Sequence, residues 1–337
     1  ILNKFIPNNY KLRFSSFRSN RIAHFAMGFY VKYAKKELYN DNKNVVFYID
    51  ESICSNKHIV KSIKREFIVK NWAKIPIYIC KKTPFLSHLY DETTFKQGRD
   101  IEGLTQKVKM PQFKDYENQF CLNWLKSHGW EGPSQPIVCI HVRDEAYLSK
   151  FFQNTVYKNI DWDYHSYRNS SIDTYIKMAE WLQEKPQSAF VIRTGKFAKE
   201  RLNLSYKKYI DYPFEESQDD LIDIWLFANA DLVISTGTGP DYISASYGVP
   251  TIYVNFLPLG STHSWSKCLH ASKHLYWAKS NRHLTLQEYT LAEFCFTNDF
   301  INMGIRIEDL NEEEILNVVK DGWNYFILNG QVKKEDL

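Results

Sequence analysis

The segment Asp231-Leu232-Val233-Ile234-Ser235-Thr236-Gly237-Thr238-Gly239-Pro240-Asp241 gives the clearest indication of the fold. Leu232 to Ile234 form a short, β-branched-rich apolar run, which predicts a buried strand. The turn that follows holds only small residues, and Thr238 and Pro240 suit the N-cap and first turn of a helix. Free N–H groups and the dipole at such a helix start favour an anion such as a phosphate. The alternative is an ordinary strand-to-helix turn of an α/β domain.

The composition is that of a globular chain of 337 residues, 44% hydrophobic and 24% charged, which is long enough for two domains. A net charge of +4 is too small to indicate nucleic-acid binding, but it is compatible with an anionic substrate or a membrane surface. No apolar run approaches membrane-spanning length. The six cysteines are scattered without a CxxC pair, which predicts reduced thiols and no zinc site.

These features predict a cytoplasmic protein with no nucleic-acid partner. Peripheral association with the inner face of the membrane is compatible with the mildly basic charge. Because the chain starts at Ile1 rather than at Met, a preceding targeting segment or anchor stays open.

Strand and helix patterns alternate along the chain, which predicts α/β domains with parallel sheets. In the first half, residues 44–49 and 75–79 are predicted strands. A boundary is expected at the Pro/Gly-containing segment 132–136. The sequence thus predicts an N-terminal domain, residues 1–132, and a C-terminal domain, residues 133–337. Both are expected to be doubly wound and to face each other across a cleft, with the last helix able to pack back on the first domain.

Polar or basic residues follow three predicted strands of the second half. They are His141 with Arg143 and Asp144, Arg193 with Gly195 and Lys196, and Ser235 to Gly239. If these strands are parallel neighbours, the three groups meet at one edge of the sheet. Guanidinium groups bind phosphate oxygens bidentately and backbone N–H groups bind the rest, so this edge suits a nucleotide diphosphate. Taken singly, each group has a structural alternative: an ion pair for Arg143, and a solvated loop after Arg193.

The other candidate residues have two interpretations each. His141 is either a buried residue that orients a loop or a substrate contact. Asp144 is either a general base for an acceptor hydroxyl or an ion-pair partner. Arg21 and His24, at a loop-to-helix start, are either acceptor-side residues or a surface arginine and a capping histidine. No metal is expected at two further groups. Asp219-Asp220 and Asp223 lie near a helix N-terminus, where carboxylates are stabilising in any case, and Asp161-x-Asp163-x-His165 has ligand-like residues at alternating positions but no second cluster.

Several of these segments resemble those of bacterial glycosyltransferases encoded in surface-polysaccharide gene clusters. The matching segments, spread over most of residues 15–280, are Arg21-Ile22-Ala23-His24-Phe25, His141-Val142-Arg143-Asp144, Tyr167-Arg168-Asn169, Ser235-Thr236-Gly237-Thr238-Gly239 and Val249-Pro250-Thr251-Ile252-Tyr253-Val254-Asn255. The His-x-Arg strand end is also similar to that of O-fucosyltransferase-type enzymes, in which the arginine holds the donor diphosphate. Two positions depart from the family pattern. Ala23 stands where a glycine is usual, and Thr236-Gly237-Thr238 replaces a serine run while keeping its hydroxyls and small size.

The resemblance implies a GT-B fold, with an acceptor-side N-terminal domain, a nucleotide-sugar-binding C-terminal domain and no metal cofactor. It also implies sugar transfer from a nucleotide-sugar to a glycan or lipid-linked acceptor. With the strand-end pattern, it assigns Arg143 and Asp144 to catalysis, Arg21 and His24 to the acceptor side, and a larger set to donor binding. The donor set is His141, Arg143, Arg168, Arg193, Gly195, Lys196, Ser235, Thr236, Gly237, Thr238, Gly239 and Asp241.

Two other functions stay open at this point. One is another GT-B-like enzyme, such as a polysaccharide pyruvyltransferase or a sugar-nucleotide epimerase. The other is a non-catalytic glycan-binding protein. The sequence does not predict the donor base, the sugar, the acceptor, the stereochemical outcome or the oligomeric state.

Overall fold

The computed structural model describes residues 12–40, 44–92, 100, 102–152, 163–205, 208–291 and 296–329. The chain divides into two compact units, Ile1–Lys114 and Asp115–Leu337. The boundary predicted at residue 132 therefore lies inside the second unit. The second unit begins before residue 132 because it includes the helix Asp115–Ser127. Hydrogen bonds from two indole N–H groups join this helix to later residues. Trp124 Nε1 donates to Ser217 Oγ at 2.9 Å, and Trp225 Nε1 donates to Asn118 Oδ1 at 2.9 Å.

The first unit is built on a parallel sheet of four strands. The strands are β1 (Arg13–Phe17), β2 (Val45–Ile49), β3 (Ile68–Val69) and β4 (Tyr90–Glu92), in the order β3-β2-β1-β4. The helices of this unit are α1 (Ile22–Tyr39), α2 (Lys57–Glu66) and α3 (Lys74–Lys82). In the core, Phe17 of β1 and Phe47 of β2 stack with ring centroids 4.8 Å apart, and Phe25 of α1 contacts Phe17 edge-on.

The predicted strand at residues 75–79 is wrong, because this segment belongs to helix α3. A short apolar run fits a strand or a buried helix equally well, and packing decides between them. Ile77 and Cys80, three residues apart, both face the core. Pro76 lies in the first helical turn, where its missing N–H has no intrahelical partner to lose.

The second unit contains a parallel sheet of six strands in the order β10-β9-β8-β5-β6-β7. The strands are β5 (Ile137–His141), β6 (Phe190–Arg193), β7 (Tyr209–Asp211), β8 (Leu232–Ser235), β9 (Thr251–Phe256) and β10 (Cys268–Ser272). Numbered from β5, this is the 3-2-1-4-5-6 order of Rossmann folds, and it reverses between β5 and β8.

The expectation that three functional strand ends are parallel neighbours is confirmed. Strand β5 lies between β6 and β8, with Ile140 paired to Arg193 and His141 paired to Ser235. In open sheets of this kind, ligands bind outside the carboxyl ends of the strands, at the point where the order reverses. The strand order therefore places the ends of β5 and β8 at a ligand-binding position.

The helices of the second unit cover both the sheet and a smaller antiparallel sheet that the sequence did not predict. The helices are α4 (Asp115–Ser127), α5 (Ala146–Phe152), α6 (Ile176–Gln183), α7 (Asp220–Asn229), α8 (Asp241–Tyr247), α9 (Leu286–Leu291), α10 (Thr297–Asn302) and α11 (Glu312–Trp323). The smaller sheet has the order β12-β11-β13, with β11 at His274–Trp277, β12 at Arg282–His283 and β13 at Ile305–Glu308.

In the described ranges, no helix is both long and apolar enough to cross a bilayer.

Helix α11 packs in the core of the second unit. Ile315 and Val319 are buried in the cluster that contains the six-stranded sheet. Trp323 meets Trp181 of α6 edge-on, with ring centroids 6.2 Å apart. Gly322 lies so close to β9 that an added Cβ would come within 2.2 Å of Ile252 Cδ1. This helix is part of the core of its own unit.

Candidate functional site

The loop Ser235 to Gly239 follows β8 at the point where the strand order reverses, and a carboxylate of the chain fills it. Asp241 Oδ2 accepts hydrogen bonds from Ser235 Oγ at 2.9 Å and from the Thr238 N–H, while Oδ1 lies 3.4 Å from Thr238 Oγ1. Asp241 is completely buried, and this burial raises its pKa to about 7 despite those hydrogen bonds. The anion predicted at this helix start is therefore supplied by the side chain of Asp241.

Other backbone donors of the loop are also engaged within the protein. The Thr236 N–H donates to His141 O at 3.2 Å, and the Gly237 N–H donates to Ser235 Oγ at 3.2 Å. The N–H groups of Thr236, Gly237 and Thr238 thus have acceptors in the chain, whereas the sequence predicts that they bind a diphosphate. Gly239 uses its carbonyl, which accepts from the Tyr242 N–H at 3.4 Å. The bond from the Thr236 N–H to His141 O holds the ends of β5 and β8 together.

Gly237 is required by its backbone and by its surroundings. Its φ of +82° lies in the left-handed region, which favours glycine. An added Cβ would lie 2.5 Å from two ring carbons of Phe256, at the end of β9. The loop therefore packs directly on an aromatic ring and leaves no room for a side chain at this position.

Two arginines border the loop. Arg168 Nη2 donates to the carbonyl of Gly237, and Arg143 Nε donates to Asn169 Oδ1 at 3.2 Å. The backbone N–H of Arg143 donates to Thr236 Oγ1 at 3.0 Å, which fixes the end of β5 against the loop. Arg168 Nε is buried and has no hydrogen-bond partner among the described residues. These two side chains are the predicted cations that the structure brings together where the strand order reverses.

A third cation, Lys273, lies next to the same segment and was missed from the sequence. Its Nζ donates to the Asn169 carbonyl at 2.5 Å and lies 2.6 Å from Asp309 Oδ1. Lys273 is 4% exposed, and burial lowers its pKa while Asp309 opposes that shift. It directly follows β10, which was not among the predicted strands, so no sequence signal pointed to it.

Arg193 and Asp144, both predicted as site residues, are engaged with other protein groups. Arg193 is 2% exposed, with Nη1 3.5 Å from Asp211 Oδ1 and Nη2 3.9 Å from Asp144 Oδ2. Asp144 accepts from the Ala146 N–H and from the Lys199 N–H, each at 2.8 Å. The Arg193 guanidinium is therefore buried beside two carboxylates of the chain. The ion-pair interpretation of Asp144 is the one that its contacts match.

Lys196 and Gly195 follow β6 and adjoin an acidic group at the start of α7. Lys196 Nζ pairs with Asp220 and lies 3.7 Å from Asp223 Oδ2. Burial raises the pKa of Asp223 to about 7, while Lys196 acts in the opposite direction. The charge of Lys196 is thus offset by carboxylates. Gly195, with φ of +128°, passes the ring of His141, whose Cε1 would lie 3.4 Å from an added Cβ.

His141 is held as a neutral ring. Its Nδ1 lies 2.9 Å from Thr194 Oγ1, and that hydroxyl donates to the Ile140 carbonyl at 3.2 Å. Because the Thr194 proton is used there, Nδ1 of His141 carries the ring proton and Nε2 remains an acceptor. Burial lowers the pKa of His141 to about 4, and Arg193 and Arg143 contribute to that shift. His141 therefore orients the loop after β6, which is the first of its two interpretations.

Arg21 and His24 lie at the start of α1, in the first unit. Arg21 directly precedes the helix. Burial, and then the charges of Arg18 and Arg21, lower the pKa of His24 to about 4, so this ring is neutral at neutral pH. The structure therefore places the predicted acceptor-side residues in one unit and the predicted donor residues in the other.

The sequence predicts no metal site, and the structure describes only some of the side chains that this prediction considered. Within the described ranges, no three His, Cys, Asp or Glu side chains are grouped as metal ligands. Asp161 of the Asp-x-Asp-x-His pattern lies outside the described residues. Among the described cysteines, Cys80, Cys121, Cys139 and Cys268 are free thiols.

The fold is shared with solved glycosyltransferase structures. A glycosyl transferase family 9 protein from Veillonella parvula matches with a TM-score of 0.54 at 8% identity, covering 94% of this chain and 98% of that one. The ADP-heptose LPS heptosyltransferase II of E. coli matches with a TM-score of 0.50 at 10% identity, covering 92% and 98%. No protein-family profile and no curated protein sequence matches the chain. At these identities the likeness shows the fold, which is the two-domain Rossmann-like α/β fold of the GT-B type expected from the sequence.

Proposed function

We propose that the chain is a glycosyltransferase of surface-polysaccharide biosynthesis, which moves a sugar from a nucleotide-sugar to a glycan or lipid-linked acceptor. The observation that carries this proposal is the meeting of Arg143 and Arg168 where the strand order of a Rossmann-like sheet reverses. Such a position is where open α/β sheets bind ligands. Solved chains that share the fold include a family 9 glycosyl transferase and an ADP-heptose heptosyltransferase. A cytoplasmic location at the inner membrane face belongs to the same proposal.

Arg143 and Arg168 are proposed to hold the donor diphosphate. A guanidinium group offers five N–H donors in a plane, and this arrangement matches phosphate oxygens. The buried Nε of Arg168 lacks an acceptor in the described chain, and an unsatisfied charged donor is costly unless a ligand or water accepts from it. A phosphate oxygen is an acceptor of the complementary charge. As the bond between sugar and phosphate breaks, the two guanidinium groups stabilise the charge that develops on the departing diphosphate.

Arg193 and Lys196 are left out of the proposed donor site because carboxylates of the chain already offset their charges. Asp144 is not proposed as the base, since its two oxygens accept from backbone N–H groups. Arg21 and His24 stay the proposed acceptor-side residues. His24, neutral at pH 7, would act there as a hydrogen-bonding group rather than as a cation. The transfer is proposed to be metal-independent, because arginines supply the positive charge that a metal otherwise supplies.

The test is nucleoside diphosphate release from a panel of UDP-, GDP-, ADP- and CMP-sugars, where release from the CMP-sugar is read as CMP. We compare the wild type, Arg143→Ala and the matched variant Arg282→Ala, in which an exposed arginine that pairs with Glu288 is removed. We expect Arg143→Ala to lower kcat/KM by at least about 100-fold, as loss of a charge-stabilising donor does. Arg282→Ala should behave as the wild type. Thermal-shift measurements with UDP, GDP, ADP and CMP identify the base.

Three outcomes would contradict parts of the proposal. Equal rates for Arg143→Ala and the wild type would remove Arg143 from the diphosphate site. Conversion of the donor sugar with no nucleotide released would indicate an epimerase. The absence of both turnover and any nucleotide-induced thermal shift would favour a glycan-binding protein.

A further inference from the structure

The smaller antiparallel sheet of the second unit carries an ion pair at one end. Strands β11 and β13 pair with His274 opposite Glu308, and the same register places Lys273 opposite Asp309. Lys273 Nζ lies 2.6 Å from Asp309 Oδ1, and the two side chains are 3% and 30% exposed. Because the carboxylate of Asp309 offsets its charge, Lys273 is not a further cation for a phosphate.

The Asp309 end of this ion pair is anchored in the core. Asp309 directly precedes Leu310, whose N–H donates to Asn255 Oδ1 at 2.7 Å. Asn255 Nδ2 donates to the Tyr175 hydroxyl at 3.2 Å, and both of these side chains are completely buried. Asn255 has a φ of +56°, a conformation that a residue other than glycine keeps where its surroundings hold it. The segment that carries Asp309 is therefore fixed against strand β9.

The Lys273 end of the ion pair holds Asn169, the residue that contacts Arg143. Lys273 Nζ donates to the Asn169 carbonyl at 2.5 Å, and Asn169 Oδ1 accepts from Arg143 Nε at 3.2 Å. The next N–H of the chain, that of Ser170, donates to the Arg143 carbonyl at 3.0 Å. Lys273 thus restrains the backbone of Asn169, and the side chain of Asn169 restrains the guanidinium of Arg143. A continuous set of polar contacts leads from Asp309 to Arg143.

We propose that Lys273 and Asn169 are positioning residues, which orient the Arg143 guanidinium for the donor diphosphate. An arginine side chain has many rotamers, and a bond at Nε fixes the plane in which its Nη groups donate. Donors that are already oriented need no reorganisation when charge develops on the departing diphosphate. The catalytic consequence rests on the proposed function, whereas the orientation of Arg143 does not.

The orientation of Arg143 is tested by NMR on the isotope-labelled full chain. The Arg143 Nε–H signal is identified by its absence from Arg143→Ala, and its exchange with water is measured in the wild type, Lys273→Met and Asn169→Ala. The matched control is Lys32→Met, because Lys32 is also buried and pairs with Asp91, a carboxylate as exposed as that of Asp309.

We expect exchange at least about 10-fold faster in Lys273→Met and Asn169→Ala than in the wild type and Lys32→Met, since the first two variants free the Arg143 Nε–H. Asn169→Ala changes a half-buried side chain and keeps the ion pair of Lys273, so it carries the test if Lys273→Met loses stability. Exchange as slow in Asn169→Ala as in the wild type would overturn the proposal.

The catalytic consequence is tested by a double-mutant cycle on kcat/KM for nucleotide release. We expect Lys273→Met to lower kcat/KM by between about 10-fold and about 100-fold in the wild-type background. In the Arg143→Ala background the same change should cost less than about twofold, because the group that Lys273 orients is then absent. Lys32→Met, corrected for its folded fraction, should stay within about twofold of the wild type.

The two measurements separate this inference from the proposed function. A loss from Lys273→Met that is equally large in the Arg143→Ala background would show a structural role and overturn the positioning role. Faster exchange at Arg143 in a chain that releases no nucleotide from any donor would support the positioning role and contradict the proposed function. Unchanged exchange in a chain that does transfer sugar would contradict only the positioning role.

Discussion

The buried carboxylate of Asp241 makes the stability of the protein depend on pH in a way that one isosteric substitution should remove. Asp241→Asn keeps the shape of the side chain. Its amide oxygen can accept from Ser235 Oγ and the Thr238 N–H, as Oδ2 does now. Its NH2 group can donate to Thr238 Oγ1, which lies 3.4 Å from Oδ1. The substitution thus removes the ionisable group and preserves the hydrogen bonds.

The magnitude follows from the shifted pKa. Burial raises the pKa of Asp241 from 3.8 to about 7. Because the folded-state pKa is raised, the folded state binds more protons between these values. The stability contributed by the protonated form is fully present below pH 3.8 and is lost as pH rises through about 7. Between pH 5 and pH 8 this group should lower the free energy of unfolding of the wild type by about 2.5 kcal/mol.

Urea unfolding of the wild type and Asp241→Asn at pH 5 and at pH 8 measures this difference. We expect the free energy of unfolding of the variant, relative to the wild type, to increase by about 2.5 kcal/mol from the lower to the higher pH. Asp321→Asn, which changes an exposed carboxylate on α11, controls for general effects of charge. If the difference between Asp241→Asn and wild type is the same at both pH values, Asp241 does not titrate in this range and the reasoning fails.

Further variants separate structural from functional roles. Arg193→Ala leaves Asp211 buried without its cation, so it should cost about 3 kcal/mol in urea unfolding while nucleotide thermal shifts persist in the folded fraction. Asp144→Asn should change turnover by less than about threefold, whereas removal of a general base costs at least about 100-fold. Gly237→Ala should lower the free energy of unfolding by more than about 2 kcal/mol. Gly248 has a φ of +74°, but no atom lies within 4 Å of the place where a Cβ would be added. Gly248→Ala should therefore lower the free energy of unfolding by only about 1 kcal/mol. Equal losses for the two glycine variants would show that the contact with Phe256 is unimportant.

The backbone of the site could be predicted from the sequence because local patterns determine it. The apolar runs that end at His141, Arg193 and Ser235 each form a strand, and the parallel alternation brings those ends together. Segment 75–79 shows the limit of such patterns. Its apolar residues fit a strand, and only the packing of Ile77 and Cys80 against the sheet makes it a helix. The two compact units divide after Lys114 rather than at residue 132 for a similar reason, since the indole contacts that hold α4 join residues 93 and 107 positions apart in sequence.

Charge partners could not be predicted, because they come from distant parts of the chain. Arg193 and Lys196 have the sequence context of phosphate ligands, but Asp211 and Asp220 from the next elements lie beside them. Lys273 has no such context, yet it shares Asn169 with the arginine site. An arginine at a strand end therefore indicates a cation near the edge of the sheet where ligands bind. The carboxylates around its side chain decide whether that charge can bind a ligand.

The segment Asp231 to Asp241 also shows that a local pattern predicts a charged site without predicting the group that occupies it. Small residues and a helix start do gather N–H donors, and this part of the prediction was correct. An acid at the first helical position can fold back on those donors, because carboxylates are stabilised at helix N-termini. Asp241 does so, bonded to Ser235 and Thr238. The pattern thus identified a need for an anion without showing its source. In the function proposed above, the arginines beside the loop bind the phosphates, and the loop holds the strand end that positions Arg143.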